Sequence, residues 1–594
     1  VTSPTPSQAF PPALGWLLAA PAVLGALITL VLPTVQTVLT SLQSGGFLRE
    51  SVDAGMDNYV ELLGRSGFWR SLGFTLSLTT VPLLVAVVVA PLLALALDRA
   101  GTWPRRAGRV VLSLGIVTFS PVGVAVAWTR GLRTDASGVA GLAQGLRETA
   151  TAPGTLRLIV AAATFGVVCA LAVTAFLPVL RARAAGPPAG GRVAPAMLAV
   201  GALVAIATVA VGIQTLSFGM VLTRGGPERS TETLASLQYD YAFRMAKLGA
   251  GAAVATVTGV ILGVLGVVAT VIAVACRLRI TLLQKPAGDV SRTGGAITPS
   301  PPSLPGGAPA PNAPHPGEAS HPRVSPHPGE ASGPLVPPPA GQSGRAPTPA
   351  AAAAGVTALV VVVAVALICA WPWIDGLLAS PGAEAGGLRT QVNTWVPAVA
   401  GALVSVGVAY LAALGIGGLR PLGPRSEWLL LAFAPWLFAG PGVFSVANWR
   451  NMRNLGLIDT FAALVPPLLV SVPALLVLTL LCKGLAERAG GDFFSGVFLP
   501  SLPMAGLLAG AVALVNAQDL LWPRLVAQQP ELFTAPVAQV AHLGAFTAAS
   551  PDVGAATPLV VVAVALAAAV AAQLLYLDRL VLTGNGSRAR TPAA

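Results

Sequence analysis

Long apolar runs alternate along this chain with short polar stretches, and each run approaches the roughly 20 residues that an α-helix needs to cross the hydrocarbon of a bilayer. Six such runs fall near 12–40, 71–97, 107–128, 156–180, 193–222 and 246–276. Six more fall near 352–374, 392–417, 427–447, 460–482, 496–518 and 556–577. Between the two sets, residues 283–350 are dominated by Pro, Gly, Ala and Ser, and the hexapeptide His-Pro-Gly-Glu-Ala-Ser occurs twice, at His315–Ser320 and His327–Ser332. Such a stretch cannot bury a core and is expected to be disordered. A flexible chain of that length spans on the order of 45 Å root-mean-square, enough to join two bundles side by side. The pattern predicts an all-α integral membrane protein of about twelve transmembrane helices. Its expected parts are a first six-helix half over 1–282, a cytoplasmic linker over 283–350 and a second six-helix half over 351–594.

Composition supports this picture. The chain is 54% hydrophobic and 10% charged, against roughly 25% charged in an ordinary soluble protein. Lipid is the natural solvent for that much apolar surface. The formal net charge of +12 would suggest nucleic acid in a soluble chain. Here the basic residues flank the apolar runs, so orientation in the membrane explains them better and no nucleic-acid partner is implied. Cys169, Cys276, Cys369 and Cys482 all fall in or at the ends of apolar runs, without metal-site spacing. They read as small buried residues. The first run lacks a basic leader and is long enough to span, so it is expected to be a retained helix.

Basic loops set the predicted topology. Arg99, Arg105, Arg106 and Arg109 oppose only Asp98 between the second and third runs; Arg181, Arg183 and Arg192 face no acid between the fourth and fifth. Arg277, Arg279 and Lys285 follow the sixth. These loops are predicted on the cytoplasmic side of a plasma membrane. The alternate loop holding Arg49, Glu50, Asp53, Asp57, Glu61 and Arg65 mixes signs. An even number of crossings in each half then places both termini in the cytoplasm. In the second half, Arg420 and Arg425 keep the bias, whereas Lys483, Glu487, Arg488 and Asp492 cancel.

Several strings carry a family resemblance. Val221 to Leu234 reads V-L-T-R-G-G-P-E-R-S-T-E-T-L and is followed by Tyr239, Tyr241, Ala242, Phe243 and Gly249. Within it Thr223, Gly225, Gly226, Pro227 and Thr231 lead to Tyr239 and Phe243 in the order found in the first membrane subunit of binding-protein-dependent ABC sugar importers, the maltose-type permeases. Gly-Gly-Pro ends a helix and forces a tight turn in any context. Upstream, Asp57-Asn58-Tyr59 with Leu62-Leu63, and Phe68-Trp69 with Ser71-Leu72 and Thr75, are similar to that family's D-N-Y-x-x-L-L…F-W-x-S-L-x-N-T, with Phe74 where Asn is usual. Ser120-Pro121 and Trp128 also fit. The second half resembles the partner subunit: Arg453 to Thr460 with Ala462, Ala463, Leu464 and Pro466, then Asp519-Leu-Leu-Trp-Pro523 and Glu531-Leu-Phe-Thr534. Ala517-Gln518 replaces its usual Trp-Asn.

The resemblance implies two permease subunits fused in one chain. It also implies an extracellular solute-binding protein that delivers a sugar or related solute, and a dimer of separate ATPase subunits that supply ATP and Mg chemistry. The chain itself is then no enzyme and holds no cofactor. In that family a cytoplasmic E-A-A-x-x-x-G helix couples each half to the ATPase. Here the first such loop offers Arg183-Ala184-Ala185 without the Glu, followed by the helix-breaking Pro187-Pro188. The second offers Gly490-Gly491-Asp492-Phe493, shortened and without E-A-A.

Polar residues inside spans are costly and mark pathway candidates. Gln214, Thr215 and Ser217 in the fifth run, with Asn516 and Gln518 in the eleventh, either line a solute path or make interhelical hydrogen bonds. Trp371, Trp373 and Trp449 read as interfacial anchors ahead of sugar platforms. No P-loop, H-E-x-x-H or Ser/His/Asp set is present, since His542 is the only histidine outside the linker. His315, His321 and His327 fall in the linker and are not expected to form a metal site. Two other classes stay open. One is an ion-coupled secondary transporter, for which Leu97-Asp98-Arg99-Ala100-Gly101 with Arg105-Arg106 faintly echoes a major-facilitator loop. The other is a degenerate permease homologue that no longer transports.

Overall fold

The computed structural model describes residues 11–46, 49–132, 138–182, 193–283, 348–378, 387–544 and 552–584. Most of the linker, Arg183, Ala184, Ala185 and Pro187-Pro188 lie outside the described residues. The described residues belong to one compact unit.

The chain begins with α1 (Pro12–Ser41), followed by a hairpin of β1 (Gln43–Gly46) and β2 (Arg49–Asp53) and by the short α2 (Asp57–Gly64). Then come α3 (Ser66–Arg99), α4 (Thr102–Val117), α5 (Pro121–Thr129), α6 (Ala152–Arg181) and α7 (Val193–Ile213). The short α8 (Ser217–Leu222) and α9 (Leu234–Tyr239) lead to α10 (Leu248–Ala275) and strand β3 (Arg279–Leu282). After the linker follow α11 (Pro349–Leu378), α12 (Leu388–Leu419), α13 (Pro441–Asn454), α14 (Val472–Ala486), α15 (Phe494–Ala517), α16 (Leu521–Val526), α17 (Ala535–Gly544), α18 (Leu559–Leu575) and β4 (Leu580–Thr583). β4 pairs antiparallel with β3, Ile280 opposite Leu582.

Among the described residues, nine helices are long and apolar enough to cross a membrane, and ten if α4 and α5 count as one bent span. The protein is therefore all-α and of multi-pass membrane type. The predicted run 107–128 is bent by 71° between α4 and α5. The cause is local: Pro121 cannot continue the helix, and the Ser120 hydroxyl accepts from Gly123 N at 3.1 Å to start a new one. The predicted run 427–447 is not one α-helix either. Residues 423–436 form tighter 3-10 turns, and Gly440-Pro441 restarts the chain as α13. In the run 460–482, Pro466 and Pro467 hold the chain out of helix until α14 begins at Val472. Elsewhere proline is absorbed within a span. A widened π turn lies just before it in three helices, at Leu27–Val31 before Pro33, Val85–Val89 before Pro91, and Phe494–Phe498 before Pro500. The missing proline N–H is accommodated by local re-pairing of the ladder.

The helices of the two sets exchange partners. α1 packs on α12 and on the turn ahead of α14 in the largest apolar core, where a side chain on Gly25 would meet Val470 at 2.8 Å. Reciprocally, α11 packs on α3, and a Cβ on Gly355 would meet Ala96 O at 2.8 Å. The basic loops predicted on one side do gather at one end. There Asp578 meets Arg106 and Arg181, and Glu487 bridges Arg279 at 2.6 Å and Arg420 at 3.5 Å. At the other end Gln36 bonds Asn451 and Arg450 Nη1 donates to Thr40 Oγ1 at 2.7 Å.

Candidate functional site between two broken helices

Two helices end at the glutamines singled out from the sequence. α7 stops at Ile213, residues 214–216 unwind, and α8 starts at Ser217. α15 stops at Ala517, residues 518–520 unwind, and α16 starts at Leu521. Such breaks free backbone groups that a membrane-embedded chain must pair elsewhere. Gln214 does so across the seam between the two sets: its Nε2 donates to Phe438 O at 2.8 Å, and its Oε1 accepts from Gly440 N at 2.8 Å. Thr215 O accepts from Thr233 Oγ1 at 3.3 Å, and Ser217 opens α8. Asn516 donates to Ala398 O at 3.3 Å and Gln518 to Ala556 O at 2.9 Å. In this conformation Gln214 and Gln518 bond backbone groups of turns, and Asn516 bonds a carbonyl of α12.

The helices after each break are built alike. Thr233 caps α9 in a capping box with Ser236, and Leu234 N donates to Thr75 Oγ1 at 2.9 Å. At the corresponding place, Ala535 N at the start of α17 donates to Thr394 Oγ1 at 2.8 Å. The sequence reading missed two glutamines on these helices. Gln238 is buried and donates to Gly442 O at 2.6 Å and Ser445 Oγ at 3.0 Å. Gln539 is buried and donates to Asp552 O at 2.7 Å and Val553 O at 3.1 Å. The signal that would have found them is a shared spacing, with Thr233 and Thr534 each five residues ahead of its glutamine.

The Gly-Gly-Pro string forms a closed loop. Gly225 takes φ +85°, and buried Thr231 donates from Oγ1 to Gly226 O at 2.7 Å, with Thr223 Oγ1 2.8 Å away. Pro227 follows in a cis peptide bond. Beneath it, Glu232 is buried, accepts from Ser71 Oγ at 3.3 Å, and has its carboxyl pushed up by that burial. Tyr239 and Phe243 reach across to the second set. Arg524 Nε donates to Tyr239 OH at 3.3 Å, and the Phe243 ring lies edge-on to Trp449 at 6.2 Å. Trp449 thus belongs to an aromatic seam, whereas Trp371 is exposed as an interfacial anchor would be.

Other quoted strings do structural work. Asn58 donates to Ser41 O and Gln43 O at 2.8 and 2.9 Å, fixing the turn after α1. Asn393, adjacent to Thr394 as Phe74 is to Thr75, donates to Glu531 O at 2.8 Å. Asp459 accepts from Gln529 N at 3.2 Å, and Trp522 Nε1 donates to Ala463 O at 2.8 Å. The strings 453–466 and 519–534 therefore hold each other. Asp519 lies in the second helix break, accepts from Leu521 N at 3.0 Å, and has its carboxyl pushed up to about 6 by burial.

At the opposite end lies the segment expected to couple to an ATPase. Gly490 and Gly491 take φ +56° and +106°, values that favour glycine. Asp492 accepts from Ser495 N at 3.1 Å, and the Ser495 hydrogen bonds hold its carboxyl below the usual range. Phe493 packs on Gly418, and Arg488 Nη1 donates to Leu282 O at 3.0 Å. The segment is thus tied to β3 and to the end of α12. Among the described residues no group of three His, Cys, Asp or Glu is placed to hold a metal ion. No protein-family model matches the chain, and no characterised protein matches it in sequence.

Proposed function

We propose that this chain is the membrane channel of a binding-protein-dependent ABC importer, with two six-helix permease halves fused through residues 283–350. The observation that carries this reading is the pair of broken helices, α7–α8 ending at Gln214 and α15–α16 ending at Gln518. Each is followed by a helix whose first N–H is held by a threonine near the start of the second span in its set. Paired discontinuous helices near the middle of a repeat protein are a recurrent way to build a solute site, because unwound backbone offers polar groups without exposing them to lipid. The strings around Gly225-Gly226-Pro227 and Asp519–Pro523 agree with this reading.

In this function a binding protein delivers a sugar or related solute to the end carrying α2, α9 and α17. A dimer of ATPase subunits, with ATP and Mg, engages the end carrying Gly490 to Phe493. Alternation between the two access states separates α7–α8 from the 438–440 turn, so Gln214 exchanges its backbone partners for solute or water. Both termini are cytoplasmic and the membrane is the plasma membrane.

The test is co-purification in mild detergent with candidate ATPase subunits, followed by hydrolysis measurements with and without Gly490→Glu. A stable complex whose ATPase responds to that change supports the proposal; no complex with any ATPase overturns it. A second reading, a proton-coupled carrier, is favoured by one observation, the Asp519 carboxyl held in the second helix break by Leu521 N at 3.0 Å. Uptake that ignores ATP, is abolished by a protonophore and is lost in Asp519→Asn would select it.

A further inference from the structure

Four arginines converge on two carboxylates where α4, α6 and the chain after α18 meet. Asp578 Oδ2 lies 3.0 Å from Arg106, and its Oδ1 lies 3.3 Å from Arg181 and 3.5 Å from both Arg105 and Arg109. Asp98 lies 3.5 Å from Arg105. Four guanidinium groups thus face two carboxylates, an excess of two positive charges. The side chains of Arg109 and Arg105 are 2% and 9% exposed. Holding uncompensated charge at such burial is costly.

The hydrogen bonding is also incomplete. Arg109 Nε is buried without a partner among the described residues, whereas Arg105 Nε, Arg109 Nη1 and Arg181 Nη1 share the single Asp578 Oδ1 as ion pairs at 3.3–3.5 Å, short of hydrogen-bond geometry.

Among the described residues the cluster is most open at Arg106. Arg106 is 52% exposed, and Trp103, three residues earlier on α4 and hence on the same face, is 74% exposed. An exposed Trp beside an exposed Arg at the end of an apolar bundle is the arrangement expected where acyl chains give way to headgroups. Leu575, on the neighbouring α18, is exposed as well.

We propose that this cluster is a binding site for a phosphate-bearing anion, and that its occupant is the headgroup of an anionic phospholipid. Its phosphate meets Arg106 at the mouth and the unpaired Arg109 Nε behind it, sharing Arg105 and Arg181 with Asp578, and Trp103 lies against the glycerol region. Arginine suits this role because its planar fork meets phosphate oxygens in pairs. Asp578 comes from the end of the chain and the arginines from its first set of helices. A bound headgroup therefore also ties the end of α18 to α4 and α6.

The test uses the full chain, delipidated in detergent and titrated with phosphatidylglycerol, phosphatidylcholine or inorganic phosphate. Native mass spectrometry and thermal unfolding are the readouts. Retention of phosphatidylglycerol but not phosphatidylcholine, with a rise in Tm, is expected. Binding about tenfold weaker is expected in Arg106→Gln, whose side chain is half exposed and so tolerates replacement, against no change in the exposed Arg70→Gln at the other end. Stabilisation by phosphate alone would keep the anion site and replace its source with a free ion. Equal binding of the two lipids with no effect of phosphate, or anionic-lipid binding unchanged in both Arg106→Gln and Arg109→Gln, would overturn the proposal.

Discussion

Gln214 shows how one polar side chain closes the account left open by a broken helix. Its two 2.8 Å hydrogen bonds to the 438–440 turn satisfy backbone groups that have no ladder partner. Gln214→Ala leaves them unpaired, which costs about 1–3 kcal/mol. A lower Tm than wild type is expected in detergent, with Ser217→Ala close to wild type. Asp519 carries a different consequence. Its folded pKa of about 6 lies above the ordinary aspartate value, so the folded state holds the proton more tightly than the unfolded chain. Its contribution to stability is greatest at low pH and is lost as pH rises from about 4 to 6. Asp519→Asn, which keeps an acceptor for Leu521 N, is expected to flatten that fall and to raise Tm at pH 7.5. A chemical-denaturation series across this pH range checks both.

At the scale of elements, close approach matters more than hydrophobicity. α10 lies directly on the 434–436 turn, where a Cβ on Gly266 would meet Ala434 O at 2.2 Å. Gly266→Val forces the two apart and is expected to cost about 1–3 kcal/mol, read as a lower Tm. Gly506 on α15 has open space around it. Gly506→Ala is expected to be neutral or slightly stabilising, since alanine favours helix over glycine by about 1 kcal/mol. Equal effects of the two changes would contradict the packing described for α10. The prolines follow similar logic. Pro121 and Pro441 start new helices and bend the path, while Pro33, Pro91 and Pro500 are absorbed by π turns within a span.

For the whole molecule, the exchange of α1 and α11 between the two sets means neither set completes its own core. α1 buries Ala22 and Leu30 in the core it shares with α12, and α11 contributes Val362 to the core of α3 and α6. Both sets of contacts lie within residues 11–283 and 348–584. Residues 1–283 and 347–594, coexpressed as separate chains with different tags, are therefore expected to co-purify as a complex. Recovery of either chain alone as a folded, monodisperse species would count against the reciprocal packing.

Much of this was legible along the chain. Nine of the predicted apolar runs contain helices that meet the length and hydropathy needed to cross, because hydrocarbon admits little else at that depth. The basic loops were also read onto one end, as Arg106, Arg181, Arg279 and Arg420 bear out by meeting there. Runs 427–447 and 460–482 were legible only in part, since apolar content does not reveal where Pro435, Pro441 and Pro466 divert the backbone. The partners of Gln214, and the importance of Gln238 and Gln539, were not legible. Each bonds a carbonyl whose availability depends on a helix break or turn elsewhere in the chain. The same holds for Asp578: sequence places it after the last apolar run, and only folding brings it among arginines more than 390 positions away. Hydropathy is a property of each segment and its solvent, so the sequence by itself determined the class and the spans. Polar pairing is a property of two segments at once, so only the tertiary structure decided which charges and amides meet.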